Sequence, residues 1–295
     1  WQFHEYAMTQ GTPTNPGNEV GRWATRFGKF SLGPSVLITS TAPSFTNVSP
    51  IPVTATFSES VTGFTSGDIV PGNASVSGFT PVSGLVYTFT LTPLAQGVVT
   101  ADIAASVALN GSSVGNQAAA QFVRTFDSVA PTSGIGAPSA SSTSTGPITY
   151  TITYGGADSI SLAPGNVTLN TTGTATGAVS VGGAGTTTRT VSISSITGNG
   201  TIGISVASGT ASDTATNAAP SAGPSATFTV DNTAPTISIG APSASATTTG
   251  PVSYTVTYGG AAAVTLSPAN VTLNTTGTAT GTVSVTGSGT ATRTV

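Results

Sequence analysis

GSSVG at 111–115 has the glycine, serine and glycine spacing that presents a nucleophilic serine on a strand-to-helix turn. Ser113 would need a base to accept its proton, and the only histidine is His4, in a compositionally different part of the chain. No helical period follows the motif, so an ordinary turn is expected there. GNGTIG at 198–203 repeats the glycine spacing of a dinucleotide fingerprint. That fingerprint works by setting a pyrophosphate on a helix N-terminus, and here too a tight turn is expected. Paired carboxylates could hydrolyse glycosides. The chain has only nine Asp and Glu, and Asp158 is replaced by Ala262 in a repeated copy of its surroundings. No catalytic constellation emerges.

Three other acids carry a different chemistry. Asp127 precedes SVAP, Asp231 precedes NTAP, and Asp213 lies in SDTATN. Carboxylate, amide and backbone oxygens are what Ca²⁺ prefers, in sets of six to eight. Ca²⁺ is therefore the one cofactor candidate, at joints between successive units, although one or two carboxylates per joint is few. The alternative is that each aspartate simply caps a turn.

Residues 1–40 hold six of the 19 aromatics, the only His and Lys, and six of the 16 charged or His residues. Trp1, Phe3, Tyr6, Trp23, Phe27 and Phe30 could stack on sugar rings, as in a glycan-binding module, or form a small core or subunit contact, where aromatics and Arg are enriched. WATRFGKFSL (23–32) alternates like a strand, with Trp23, Phe27 and Leu32 as candidate assembly or ligand contacts.

The elements that would position these groups come from a repeat. Residues 131–191 and 235–295 align without a gap at 44 identities in 61 positions, a tandem duplication of period 104. ITYTITY (148–154) puts Ile148, Tyr150, Ile152 and Tyr154 on one face and three threonines on the other, the period of a half-buried strand. VSYTVTY (252–258) repeats it. Further strands are expected at 159–162, 167–170, 178–181, 189–193, 201–206 and 226–230, between clusters of Gly, Asn, Pro and Ser. Seven or more short strands in about 100 residues point to an all-β fold of tandem immunoglobulin-like sandwiches. Ala42–Pro43, Ala130–Pro131 and Ala234–Pro235 mark three similar starts. The expected divisions are 1–40, an aromatic-rich segment or the tail of a preceding domain, then 41–129, 130–233 and a truncated 234–295.

Composition narrows function. Only 5% of residues are charged and the net charge is −3, which leaves no basic patch for nucleic acid or anionic lipid. No apolar run reaches the roughly 20 residues of a membrane helix. Cysteine is absent and Lys29 is the sole lysine, so the repeats form neither disulfides nor lysine cross-links. Eight N-x-S/T matches, at Asn47, Asn73, Asn110, Asn166, Asn170, Asn199, Asn270 and Asn274, arise readily in so Ser- and Thr-rich a chain.

FSESVTGFTSGDI, the DNTAPT joint at 231–236 and SATFTV at 225–230 resemble bacterial Ig-like domains strung together in very large surface proteins. The resemblance covers roughly residues 41–295. It implies a non-enzymatic extracellular stalk, adhesin or filament, exported by a signal outside this sequence, with partners that are copies of itself, further Ig-like domains of the same chain, or surface glycans.

The third unit stops at Val295, the counterpart of Val191, so the counterparts of Ser192–Thr233 lie outside the sequence. Such a half-sandwich would leave apolar faces and sheet edges open. Two expectations stand: continuation of the polypeptide finishes the unit, or a neighbouring molecule supplies strands in trans, with residues 1–40 as donor.

Overall fold

A computed structural model describes residues 3–7, 23–27 and 32–295. At the N-terminal side, β1 (Phe3–Ala7) and β2 (Trp23–Phe27) pair antiparallel, with Phe3 opposite Phe27.

The first sandwich runs through β3 (Val36–Thr39), β4 (Phe45–Thr46), β5 (Ile51–Phe57), β6 (Val61–Thr62), β7 (Ile69–Gly72), β8 (Ala74–Pro81), β9 (Val86–Pro93), β10 (Gly97–Ile103), β11 (Leu109–Asn110) and β12 (Phe122–Phe126). One sheet has the order β3-β5-β9-β8 and the other β4-β12-β10-β7, with β6 and β11 as a small extra pair. Only β4 runs parallel to its neighbour, β12. The period of two expected from sequence sorts each strand between core and solvent. In β5, Ile51, Val53, Ala55 and Phe57 are buried while Pro52 and Thr56 face out. Phe57, Phe64 and Tyr87 pack edge to face, the arrangement that ring quadrupoles favour, and close one end of the core.

The second sandwich repeats this plan through β13 (Thr132–Ile135), β14 (Ser142–Thr143), β15 (Ile148–Gly155), β16 (Ser159–Ile160), β17 (Val167–Thr171), β18 (Thr176–Gly182), β19 (Thr188–Thr197), β20 (Gly200–Val206), β21 (Ala211–Ser212) and β22 (Phe228–Val230). Its sheets are β13-β15-β19-β18 and β14-β22-β20-β17. Tyr150, Ile152, Ile193, Ile202, Ile204 and Phe228 meet between them, and the single proton of the Tyr150 hydroxyl is directed at Ala226 O (2.9 Å) and shared with Ile202 O (3.3 Å) across the core. The outer face of the first of these sheets is hydroxylated: Thr149 lies opposite Ser192, Thr151 opposite Thr190, and Thr153 opposite Thr188.

The first sandwich takes in β3, upstream of the start expected at residue 41. Ser44 and Ser141 accept from equivalent positions, the amides of Thr125 and Thr229. Ala42–Pro43 therefore sits after the first strand, where the second sandwich has Ala137–Pro138. The counterpart of buried Pro131 is buried Pro34. Each unit has a proline step on either side of its first strand, Gly33–Pro34 and Ala42–Pro43 in the first and Ala130–Pro131 and Ala137–Pro138 in the second, so matching Ala42–Pro43 to Ala130–Pro131 places the first start one strand late.

In the third unit, β23 (Thr236–Ile239), β24 (Thr255–Gly259) and β25 (Thr292–Thr294) form one three-stranded sheet. The strand expected over 252–258 shortens to β24, and residues 271–275, the counterpart of β17, are not a strand. β17 is held by its ladder to β20, and the third unit has no such partner among the described residues.

Candidate functional site at the joint between sandwiches

Each sandwich hands the chain on in the same way. The amide of Asp127 donates to Thr46 O at 2.9 Å, and that of Asp231 to Thr143 O at 3.1 Å, which fixes the last strand against β4 or β14. Each aspartate then folds back as a turn cap: Asp127 Oδ1 accepts from the amide of Val129, and Asp231 Oδ1 from that of Thr233, both at 2.9 Å. The intervening residue is pinned by an amide side chain from the turn beneath it. Gln96 Oε1 accepts from the amide of Ser128 at 2.9 Å, and Gln96 Nε2 donates to Ser128 Oγ at 2.7 Å. In the second sandwich, Asn199 Oδ1 accepts from the amide of Asn232 at 2.6 Å, and Asn232 Nδ2 donates to Gly198 O at 2.7 Å. Gln96 and Asn199 occupy matching turns, β9 to β10 and β19 to β20.

At the first joint the next sandwich reaches back. Between β21 and β22, Asp213–Asn217 makes a turn in which the Thr216 amide donates to Asp213 O and the Asn217 amide to Asp213 Oδ1. Thr216 has a φ of 70°, in the left-handed region. This aims the Asn217 side chain at the first sandwich. Asn217 Nδ2 donates to Asp127 O and to Asp213 Oδ2, each at 2.8 Å, while Asn217 Oδ1 accepts from Asn47 Nδ2 at 3.1 Å. Asn217 is only 9% exposed. One amide thus ties the last strand and the β4–β5 loop of one sandwich to a loop of the next.

The same turn explains GSSVG. In the first sandwich Ser113 takes the place of Thr216, with a φ of 58°, its amide bonded to Asn110 O and the Val114 amide to Asn110 Oδ1. Ser113 is a turn residue on a loop between strands. GNGTIG is likewise the β19–β20 turn. A Cβ on Gly198 would stand 2.0 Å from Thr174 O, and one on Gly200 2.0 Å from Thr172 O, so the segment crossing over the turn requires glycine at both.

Two of the three calcium candidates, Asp127 and Asp213, come together around Asn217, while Asp231 lies at the exit of the second sandwich. The oxygens on offer at the first joint, Asp127 O, Asp213 Oδ2 and Asn217 Oδ1, already face amide donors, and an ion there would displace them. Among the described residues no three His, Cys, Asp or Glu side chains gather in one place. Asp231 stays below the usual carboxylate range because it accepts from the backbone and side chain of Thr233. Asp158 is also held low, chiefly by the Thr214 hydroxyl and then by the Thr214 amide, at 2.6 and 2.7 Å. It braces the Asp213–Asn217 loop. Leu32 is 67% exposed. Trp23 and Phe27 lie on β2, and their side chains, like Trp1 and Phe30 as a whole, fall outside the described residues.

Sequence reasoning missed Asn217, Asn47, Gln96 and Asn199. A signal existed: an amide residue precedes glycine at the start of β10 and of β20, as Gln96-Gly97 and Asn199-Gly200.

Among the described residues no helix is long and apolar enough to cross a membrane. No curated protein matches the chain. Residues 31–126 match the family model described as a bacterial Ig-like domain, a family generally non-enzymatic and typical of extracellular proteins, and the sandwich built by β3–β12 agrees with that match.

Proposed function

We propose that the protein is an extracellular structural element of a bacterial surface, a stalk or filament segment in which tandem Ig-like sandwiches act as rigid spacers. The observation that carries this reading is the Asn217 joint. Separate binding modules would need only a flexible linker, whereas here only Val129 and Ala130 separate the pinned Ser128 from the buried Pro131, and the next sandwich bonds back across them.

The remaining chemistry suits exposure outside a cell. Arg124, Arg189 and Arg293 are the only basic residues after Lys29, and each guanidinium is tied to backbone carbonyls. Arg124 also stacks 4.7 Å above Phe122. Trypsin-like proteases find little to cut.

The test is to label intact source cells with an antibody against residues 31–233 and to treat the same cells with proteinase K. Surface labelling lost on proteolysis is expected. Labelling only after permeabilisation would overturn the reading.

A further inference from the structure

Tension on a chain of sandwiches acts between the point where each unit is entered and the point where it is left. In the first sandwich these two points lie at opposite ends. At the exit, the Asp127 amide donates to Thr46 O, shortly before β5 begins. β5 runs away from that end, and β3 is antiparallel to it with Val36 opposite Phe57, so β3 begins at the far end. There the amide of Ser58 donates to Ser35 O and that of Gln117 to Pro34 O. A pull between Pro34 and Asp127 therefore runs along the strands.

The first and last strands of the sandwich take up that pull. β3 lies along β5 through Val36–Thr39, and β12 lies between β10 and β4, parallel to β4. Axial force slides these ladders, so that the rungs of each share the load and give way together. Force applied across a hairpin opens it one rung at a time. A single rung is weak in water, so direction decides whether one weak bond or several must break in the same step.

The contact of β12 with β4 is short, and a side chain extends it. The amides of Thr125 and Asp127 donate to Ser44 O and Thr46 O at 2.8 and 2.9 Å. Arg124 Nε donates to Ala42 O at 2.9 Å, and its guanidinium rests on the Phe122 ring. β12 thus grips alternate carbonyls, those of Ala42, Ser44 and Thr46. The second sandwich has the two backbone bonds, from Thr229 to Ser141 O and from Asp231 to Thr143 O. At the place of Arg124, opposite Ile202 where the first sandwich has Val99, stands Phe228, which has no donor to give.

We propose that the two sandwiches resist extension along the chain as shear clamps, and that Arg124 is a mechanical tie reinforcing the first. This goes beyond the stalk reading and does not depend on it, since the same chain recovered from inside a cell would behave identically when pulled.

The test holds single molecules of the whole 295-residue chain at constant force, where the lifetime before rupture reports the unfolding rate. Handles on Ser35→Cys and Val129→Cys load the first sandwich along its strands. Handles on Ser75→Cys and Leu94→Cys peel β8 from β9 instead. All four positions are exposed, and the chain has no other thiol. At equal force the lifetime should be at least about tenfold longer along the strands, the equivalent of one or two further rungs breaking in the same step. Arg124→Met should shorten the axial lifetime about 2- to 12-fold, the loss of one bond. It should leave the peeling lifetime unchanged, which also reports that the variant is folded. Equal lifetimes in the two directions would overturn the clamp. An Arg124→Met chain that matches the parent along the strands, or that weakens equally in both directions, would overturn the tie.

Discussion

Replacing Asn217 by alanine should loosen the joint without unfolding either sandwich. Two of the side chain's hydrogen bonds cross between units, to Asp127 O and from Asn47 Nδ2. At about 0.5–1.5 kcal/mol net for each bond, the docked arrangement loses about 1–3 kcal/mol, roughly a 5- to 150-fold change in the ratio of docked to undocked joints. Asn217→Asp should be worse, because it puts a carboxylate oxygen where Nδ2 now lies 2.8 Å from Asp213 Oδ2 and adds repulsion of at least about 1 kcal/mol. The chain contains no cysteine, so Val82→Cys and Thr186→Cys, both at exposed positions, take spin labels cleanly. The distance distribution between them should be narrow in the parent and broad in N217A. A double-mutant cycle with Asn47→Ala should give a coupling of about 0.5–1.5 kcal/mol. Thr214→Ala, which removes the hydroxyl arm of the Asp158 brace inside the second sandwich and leaves the amide arm, should broaden the distribution less than N217A. If N217A superposes on the parent and the coupling with Asn47 is zero, the clasp does not hold the joint.

Carboxyl NMR titration should place Asp158 and Asp231 below the ordinary carboxylate midpoint. With folded values depressed, their stabilisation is present above the unfolded value near 3.8 and is lost as pH falls through the folded value, so acid should weaken the Asp213–Asn217 loop and the second exit together. Midpoints at or above 3.8 would contradict the bonds to Thr214 and Thr233. Tyr150→Phe removes a core hydrogen bond whose single proton is shared between Ala226 O and Ile202 O, and should destabilise the second sandwich by about 0.5–1.5 kcal/mol, read as faster amide exchange in β20 with β10 unaffected. Burial holds the Tyr150 hydroxyl above the ordinary tyrosine value. The parent therefore keeps this contribution below about pH 10 and loses it as pH rises further, and the phenylalanine variant should lack that alkaline loss.

What the sequence disclosed, it disclosed through period two. ITYTITY named the inward and outward residues of β15 correctly because a sheet buried on one face forces alternation, and the exchange of Ile for Val between repeats preserved it. Phase was harder. Pro43 and Pro138 follow the first strand while Pro34 and Pro131 precede it, and because Gly33 stands where the second unit has Ala130, the Ala-Pro pair of the first unit marks the far side of its first strand. The joint escaped for a different reason. Asn217, Asn47 and Asp127 are 170 and 90 residues from one another in sequence, and each is an ordinary turn residue where it stands. Their meeting depends on how one sandwich's loop faces the next one's last strand. The aspartates drew attention as charges, whereas Asp127 contributes to the clasp through its main-chain carbonyl.

The hydroxylated outer face of β15 and β19 has a consequence for the molecule as a colloid. A surface built of Lys and Glu repels its neighbours through a field that salt screens within about 10 Å at 0.1 M and that changes sign with pH. Rows of threonine and serine have no charge to screen and do not titrate, and with 15 acidic and basic residues in 295 the chain has little long-range field of any kind. Its hydration, and the spacing it keeps from other molecules, should therefore change little between fresh water and brine.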